Sequence, residues 1–116
     1  MRSGRERVQD MLSAVAAIER HVEQRRQAFD TDEVLRGYVV YQLMILGEAA
    51  YSMPEAVKVA HSEIRWGEIT SMRHLLVHGY FRVDRDIVWN VVERDLPVLR
   101  PQLERLLSEI AQHDSA

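Results

Sequence analysis

The stretch from Gly37 to Tyr51, GYVVYQLMILGEAAY, most narrowly limits what this chain can fold into. Read as a helix it is apolar nearly all round, with Tyr38, Val39, Val40, Tyr41, Leu43, Met44, Ile45 and Leu46 interrupted only by Gln42. A helix with no water-facing side must be covered on more than one flank. Two arrangements satisfy this: a central place in a helical bundle, or a subunit interface over part of the surface. A bilayer span needs about 20 apolar residues, and this run is shorter and holds Gln42 and Glu48, so no membrane association is expected. Gly47, Ala49 and Ala50 let another helix approach closely near its end.

The rest of the chain is patterned to supply the cover. Val8, Met11, Leu12, Val15, Ile18 and Val22 recur at steps of three and four, which predicts a first helix from about Arg5 to Ala28. Asp30 or Thr31 can cap the central helix, with Asp32 and Glu33 in a first turn where the macrodipole favours negative charge. Pro54 suits the start of a short helix running to His61, and another is predicted from about Ile64 to His78. Asp84 or Asp86 can cap a last segment striped by Ile87, Val88, Val91, Leu96, Leu99, Leu103, Leu106 and Ile110. Pro97 and Pro101 predict a kink or a break in it, and the end from His113 is expected to fray. No run shows a β period. The expected class is therefore all-α, an antiparallel bundle of four to five helices forming one domain over residues 1–116.

Composition narrows the function. A chain of 116 residues, 47% apolar, can bury one core without disulfides or metal. It holds no cysteine, so no thiolate site is available, and its charged N-terminus lacks the apolar run of a signal peptide; a cytoplasmic protein is expected. A net charge of −3 argues against nonspecific coating of nucleic acid but allows a local basic site. Of the 15 basic residues only Lys58 is lysine, and the arginines are planar forks suited to phosphate.

Candidate chemistry concentrates between Trp66 and Tyr80, WGEITSMRHLLVHGY. As a helix, Ile69, Met72 and Leu76 form its apolar stripe, and Arg73, His74 and His78 lie on or beside the polar border. Arg73 and His78 are roughly 140° apart, enough to border a common cleft. Gly79 suits the position just past the helix end, leaving Tyr80 exposed beyond it. His78 is the side chain best able to exchange a proton near neutral pH, though spacing alone favours a histidine capping helix carbonyls. Arg73 can hold a phosphate through paired hydrogen bonds, or simply pair with a carboxylate. Glu48 lies near the C-terminal end of the apolar helix, where the macrodipole opposes it. Its partner is either Arg73 or water. Trp66 is expected in the core with its indole N–H satisfied locally. His21, His61 and His113 are expected at the surface, and Tyr38, Tyr41 and Tyr51 in the core or an interface.

The order Arg73, four residues, His78, one residue, Tyr80 resembles the signature of the HepT-like branch of the HEPN nucleases, toxins of bacterial toxin–antitoxin pairs. Gly47-Glu48-Ala49, Trp66, Val83-Asp84 and Ile87-Val88-Trp89 also sit where that family has them, so the resemblance covers roughly Asp32 to Leu107. His74 stands where the family usually has Asn, which removes a side-chain amide. The resemblance implies an HEPN-like fold and a metal-independent endoribonuclease needing no cofactor. It implies a homodimer that pairs two sites across a groove, with Arg73 on the RNA phosphate and His78 transferring protons. The implied partner is a minimal (MNT-type) nucleotidyltransferase antitoxin that transfers AMP to the motif tyrosine, here Tyr80. Glu48 and His74 are then supporting residues.

Two other readings stand beside it. One is a helical module without catalysis that binds a partner protein or a nucleotide, which His74 keeps open. The other is a metal-dependent hydrolase using His74 and His78, four residues apart; the chain lacks the zincin Glu beside them and shows no evident third ligand.

Overall fold

A computed structural model describes residues 2–23, 25–79 and 84–115, without the side chains of residues 77–79 and 111–115. The described chain is helical in α1 (Gly4–Val22), α2 (Arg26–Thr31), α3 (Glu33–Tyr51), α4 (Glu55–Ala60), α5 (Trp66–Gly79), α6 (Arg85–Asn90) and α7 (Leu96–Ser115), with a π-helical stretch at Val91–Asp95. This is an all-α antiparallel bundle.

The apolar helix α3 takes the central place. It packs against α1 on one flank and α5 on another, while α7 packs against α1. Val39, Leu43, Leu46 and Ala50 of α3 are buried with Val8, Met11, Val15 and Ile18 of α1 and Leu96, Leu103 and Leu106 of α7 in one cluster. Burying such a side chain contributes about 1.5–3 kcal/mol, which is how an α3 with no polar stripe is held in water. Its third face is left partly open: Tyr41 and Tyr51 are exposed and Met44 and Ile45 half-buried.

Helix ends follow local chemistry with some departures from expectation. Ser3 and Glu6 form a reciprocal capping box on α1, each side chain accepting from the other's backbone N–H at 3.1 Å. The first helix does not run to Ala28 but stops at Val22. Glu23 turns left-handed at φ 49°, and its N–H closes on Glu19 O. The polar run from Glu23 to Gln27 gives a longer helix nothing to bury, whereas turning lets Phe29 pack against Trp89, with ring centroids 5.4 Å apart. Asp32, not Asp30 or Thr31, caps α3, accepting from Val34 and Leu35 N–H. Its free carboxylate satisfies two orphan donors at once. Arg36 reaches back to the Phe29 and Asp30 carbonyls and closes the end of α2.

Of the kink or break expected at Pro97 and Pro101, there is no break: the segment from Arg85 to Ser115 is helical throughout, with a distortion just before Pro97. Asp84 caps it by accepting from Asp86 N–H. Pro97 cannot donate to Glu93, and the turn before it widens instead: Leu96 N–H bonds to Val91 O, five residues back. The lost α-helical bond is absorbed by this wider turn. His61, expected at the surface, is half-buried, its ring nitrogens 3.6 Å from Glu63 and 3.4 Å from Glu109. Its carbonyl accepts the Trp66 indole N–H at 3.0 Å, the local partner that Trp66 required.

Candidate functional site

The crossing of α3 and α5 is tightest at Gly47. A methyl group built there would lie 2.2 Å from Cβ of Arg73, so only glycine lets the arginine stem pass. Once across, Arg73 meets two further residues of α3. Its Nε lies 2.6 Å from Glu48 Oε2, and its guanidinium carbon lies 5.2 Å from the centroid of the Tyr51 ring. Gly47 and Tyr51 are one turn apart and share a face, so α3 presents a floor, a flank and an aromatic shelf to one side chain.

This settles one open question. Glu48 pairs with Arg73 rather than facing water alone, which also answers the unfavourable macrodipole at the end of α3. The pair is about half exposed on the Glu48 side, so its value lies in aiming the guanidinium more than in stability. With Nε turned to Glu48, the edge formed by the two terminal nitrogens is the one suited to a second, bidentate anion. The tyrosine shelf adds about 0.5–1 kcal/mol of attraction for the cation.

Arg73 lies on an open groove of about 420 Å³. On one side the N-terminal segment and α1 contribute Arg2, Arg7 and Asp10. Tyr41, Met44 and Ile45 of α3 form its apolar part. Arg2 is tied to Asp10 by two hydrogen bonds of 2.8 and 2.7 Å. Arg73 and Glu48 are therefore brought together as the sequence allowed. His74 is exposed on α5. His78 belongs to α5, but its side chain lies outside the described residues, as does the whole of Tyr80. Among the described residues, no group of three or more His, Asp or Glu side chains is placed to hold a metal ion. No described helix is long and apolar enough to cross a membrane.

Sequence reading missed Tyr51 as the shelf for Arg73, although its spacing from Gly47 carried the signal. Tyr41 and Tyr51, expected in the core or an interface, are each 59% exposed in the single chain, so neither is a core residue. Arg2 and Arg7 carried no local signal, because they reach the groove only through the packing of α1 on α3.

Comparison with known proteins matches residues 11–106 to the family described as Ribonuclease HepT-like. The chain is 34% identical to the "Probable ribonuclease HepT" of Thermococcus cleftensis, over 90% of this chain and 96% of that protein. A "Putative RNase" of Caldanaerobacter subterraneus is 36% identical, with 70% of this chain and 72% of that protein covered. The "Gamma-glutamylcyclotransferase and putative RNase" of Methanocaldococcus jannaschii is 29% identical over 86% of this chain, which spans 46% of that protein. No solved structure matches at a significant level. With its Arg73 anchored over Gly47 and the match running through both helices of the crossing, the chain belongs to the ribonuclease HepT-like family.

Proposed function

We propose that the protein is a metal-independent endoribonuclease acting as the toxin of a toxin–antitoxin pair. The observation that carries this is the anchoring of Arg73: an arginine held over a glycine by a carboxylate and an aromatic ring is preorganised for an anion. The family match and the names of the relatives support RNA as that anion's source.

In this reading a base takes the 2′-hydroxyl proton, the 2′-oxygen attacks phosphorus, and the 5′-oxygen leaves with a proton from an acid. Arg73 stabilises the charge that grows on the phosphoryl oxygens, and His78 transfers protons. One chain offers one such pair. A homodimer with two sites facing a common groove supplies both base and acid. The partner is a nucleotidyltransferase antitoxin that adenylylates Tyr80, adding bulk and negative charge where RNA phosphate must enter. His74 and Glu48 support the site without touching the reacting atoms.

RNA cleavage by the purified protein in excess chelator tests the chemistry. Arg73→Ala and His78→Ala should abolish it while remaining folded, and light scattering should give a dimer. Rescue by zinc after loss in chelator would instead favour the His74–His78 metal site. Intact mass after co-expression with a neighbouring nucleotidyltransferase gene should show adenylate additions that vanish in Tyr80→Phe. A folded protein that cleaves no RNA but binds that partner would make it the interaction module.

A further inference from the structure

The groove beside Arg73 has more cation than the proposed phosphate contact uses. Three arginines line it against two carboxylates, Asp10 and Glu48, and both carboxylates are taken, by Arg2 and Arg73. Arg7 is the surplus charge: half-buried on α1, it makes no ion pair with any described residue. The apolar part of the same groove offers the 59%-exposed ring of Tyr41, flanked by Met44 and Ile45. Phosphate-seeking charge beside an open aromatic face is the combination that binds unpaired nucleotides, because the backbone finds the cation while an unstacked base finds the ring. The space, about 420 Å³, falls among clefts that hold small ligands.

We propose that this groove is a track for single-stranded RNA, in which Arg7 holds a backbone phosphate flanking the one at Arg73 and Tyr41 stacks a base. This rests on the ribonuclease reading and adds to it a requirement for unpaired RNA, together with two binding residues remote in sequence from the signature. Arg7 and Tyr41 are binding residues here, not catalytic ones. The net charge of −3 is consistent with a confined track rather than a general nucleic-acid surface.

Fluorescence polarisation with a short single-stranded oligoribonucleotide tests it, using the His78→Ala protein so that binding is read without cleavage. Arg7→Gln should weaken binding and reduce the slope of log affinity against log salt by about 0.7, the share of one phosphate. Tyr41→Ala should weaken binding about fivefold or more with the slope unchanged, while Tyr41→Phe binds like the parent. A duplex of equal length should bind more weakly than the single strand. If the parent binds RNA and both variants bind equally well, the track is refuted and the ribonuclease reading stands. If the parent binds no RNA, the ribonuclease reading fails and the track with it. A lowered oligomeric mass in Tyr41→Ala would assign the groove to a second copy of the chain and overturn the proposal.

Discussion

Gly47→Ala is the sharpest single perturbation of the α3–α5 crossing. The new methyl would stand 2.2 Å from Cβ of Arg73 and 3.2 Å from its Cα, where ordinary contact begins at 3.4 Å, so the helices must give by about 1.2 Å at that point. The obstructing atoms are the root of the arginine, not its flexible end, and no rotamer change relieves them. Overpacking of this kind costs roughly 1–3 kcal/mol. The helix propensity of alanine returns up to about 1 kcal/mol, leaving a net loss of between about 0 and 3 kcal/mol. The larger effect is expected at the guanidinium, since an error of about 1 Å in a positioning group can lower a rate about 100-fold. Urea denaturation reads the first quantity, as a lower midpoint at unchanged slope, and RNA cleavage by the same sample reads the second. Gly67→Ala is the control: nothing lies within 4 Å of its added methyl, so it should be neutral or stabilising by up to about 1 kcal/mol. A Gly47→Ala protein more stable than the parent and cleaving RNA at the parent rate would refute the reasoning.

Other substitutions probe other joints. Glu48→Gln should change stability by less than about 1 kcal/mol, because the pair is exposed, yet lower RNA cleavage by releasing Arg73. Asp32→Ala removes the α3 cap and should cost about 1 kcal/mol in urea denaturation. The Ser3 backbone N–H, then its hydroxyl, hold the Glu6 carboxyl below its ordinary value. A lowered folded-state value means its contribution is present above the unfolded carboxylate range and lost as pH falls through the folded one. The stability gap between the parent and Glu6→Gln should therefore be constant near neutral pH and shrink in acid, as measured by denaturation from pH 7 downward.

What the sequence disclosed, and what it hid, divides by how far the cause reaches. The central place of α3 was legible because a helix apolar on every side has few homes. The Glu48–Arg73 pair was legible as one of two outcomes, because a carboxylate near a helix C-terminus needs a cation. The stop at Val22 was not, since Glu23 adopts positive φ without the glycine or asparagine that would announce it. His61 was misread because one of its carboxylates, Glu109, comes from the far end of the chain. Pro97 marked the interruption in the last helix, but its form depends on what the neighbouring turns must bury. The groove was hidden for the same reason: Arg7 and Tyr41 are ordinary residues until α1 is laid on α3.

The π-helical stretch changes which edits of chain length this fold can absorb. Val88, Val92 and Leu96 are buried at two successive four-residue steps. On a plain α-helix each such step overruns a full turn by about 40°, so the pair would carry Leu96 about 80° off the row. The wide turn holds the surplus, in effect one extra residue looped into the helix. Deleting the exposed Arg94 would convert the steps to four and three and leave the Leu96, Leu99, Leu103 and Leu106 row facing inward. The same deletion brings the ring of Pro97 back against a carbonyl that the wide turn spares. The shortened helix should thus fold when Pro97→Ala accompanies it and be weakened when proline remains. A one-residue deletion between Leu99 and Leu103 has no such reserve: it rotates everything beyond by about 100° and takes the row off the core.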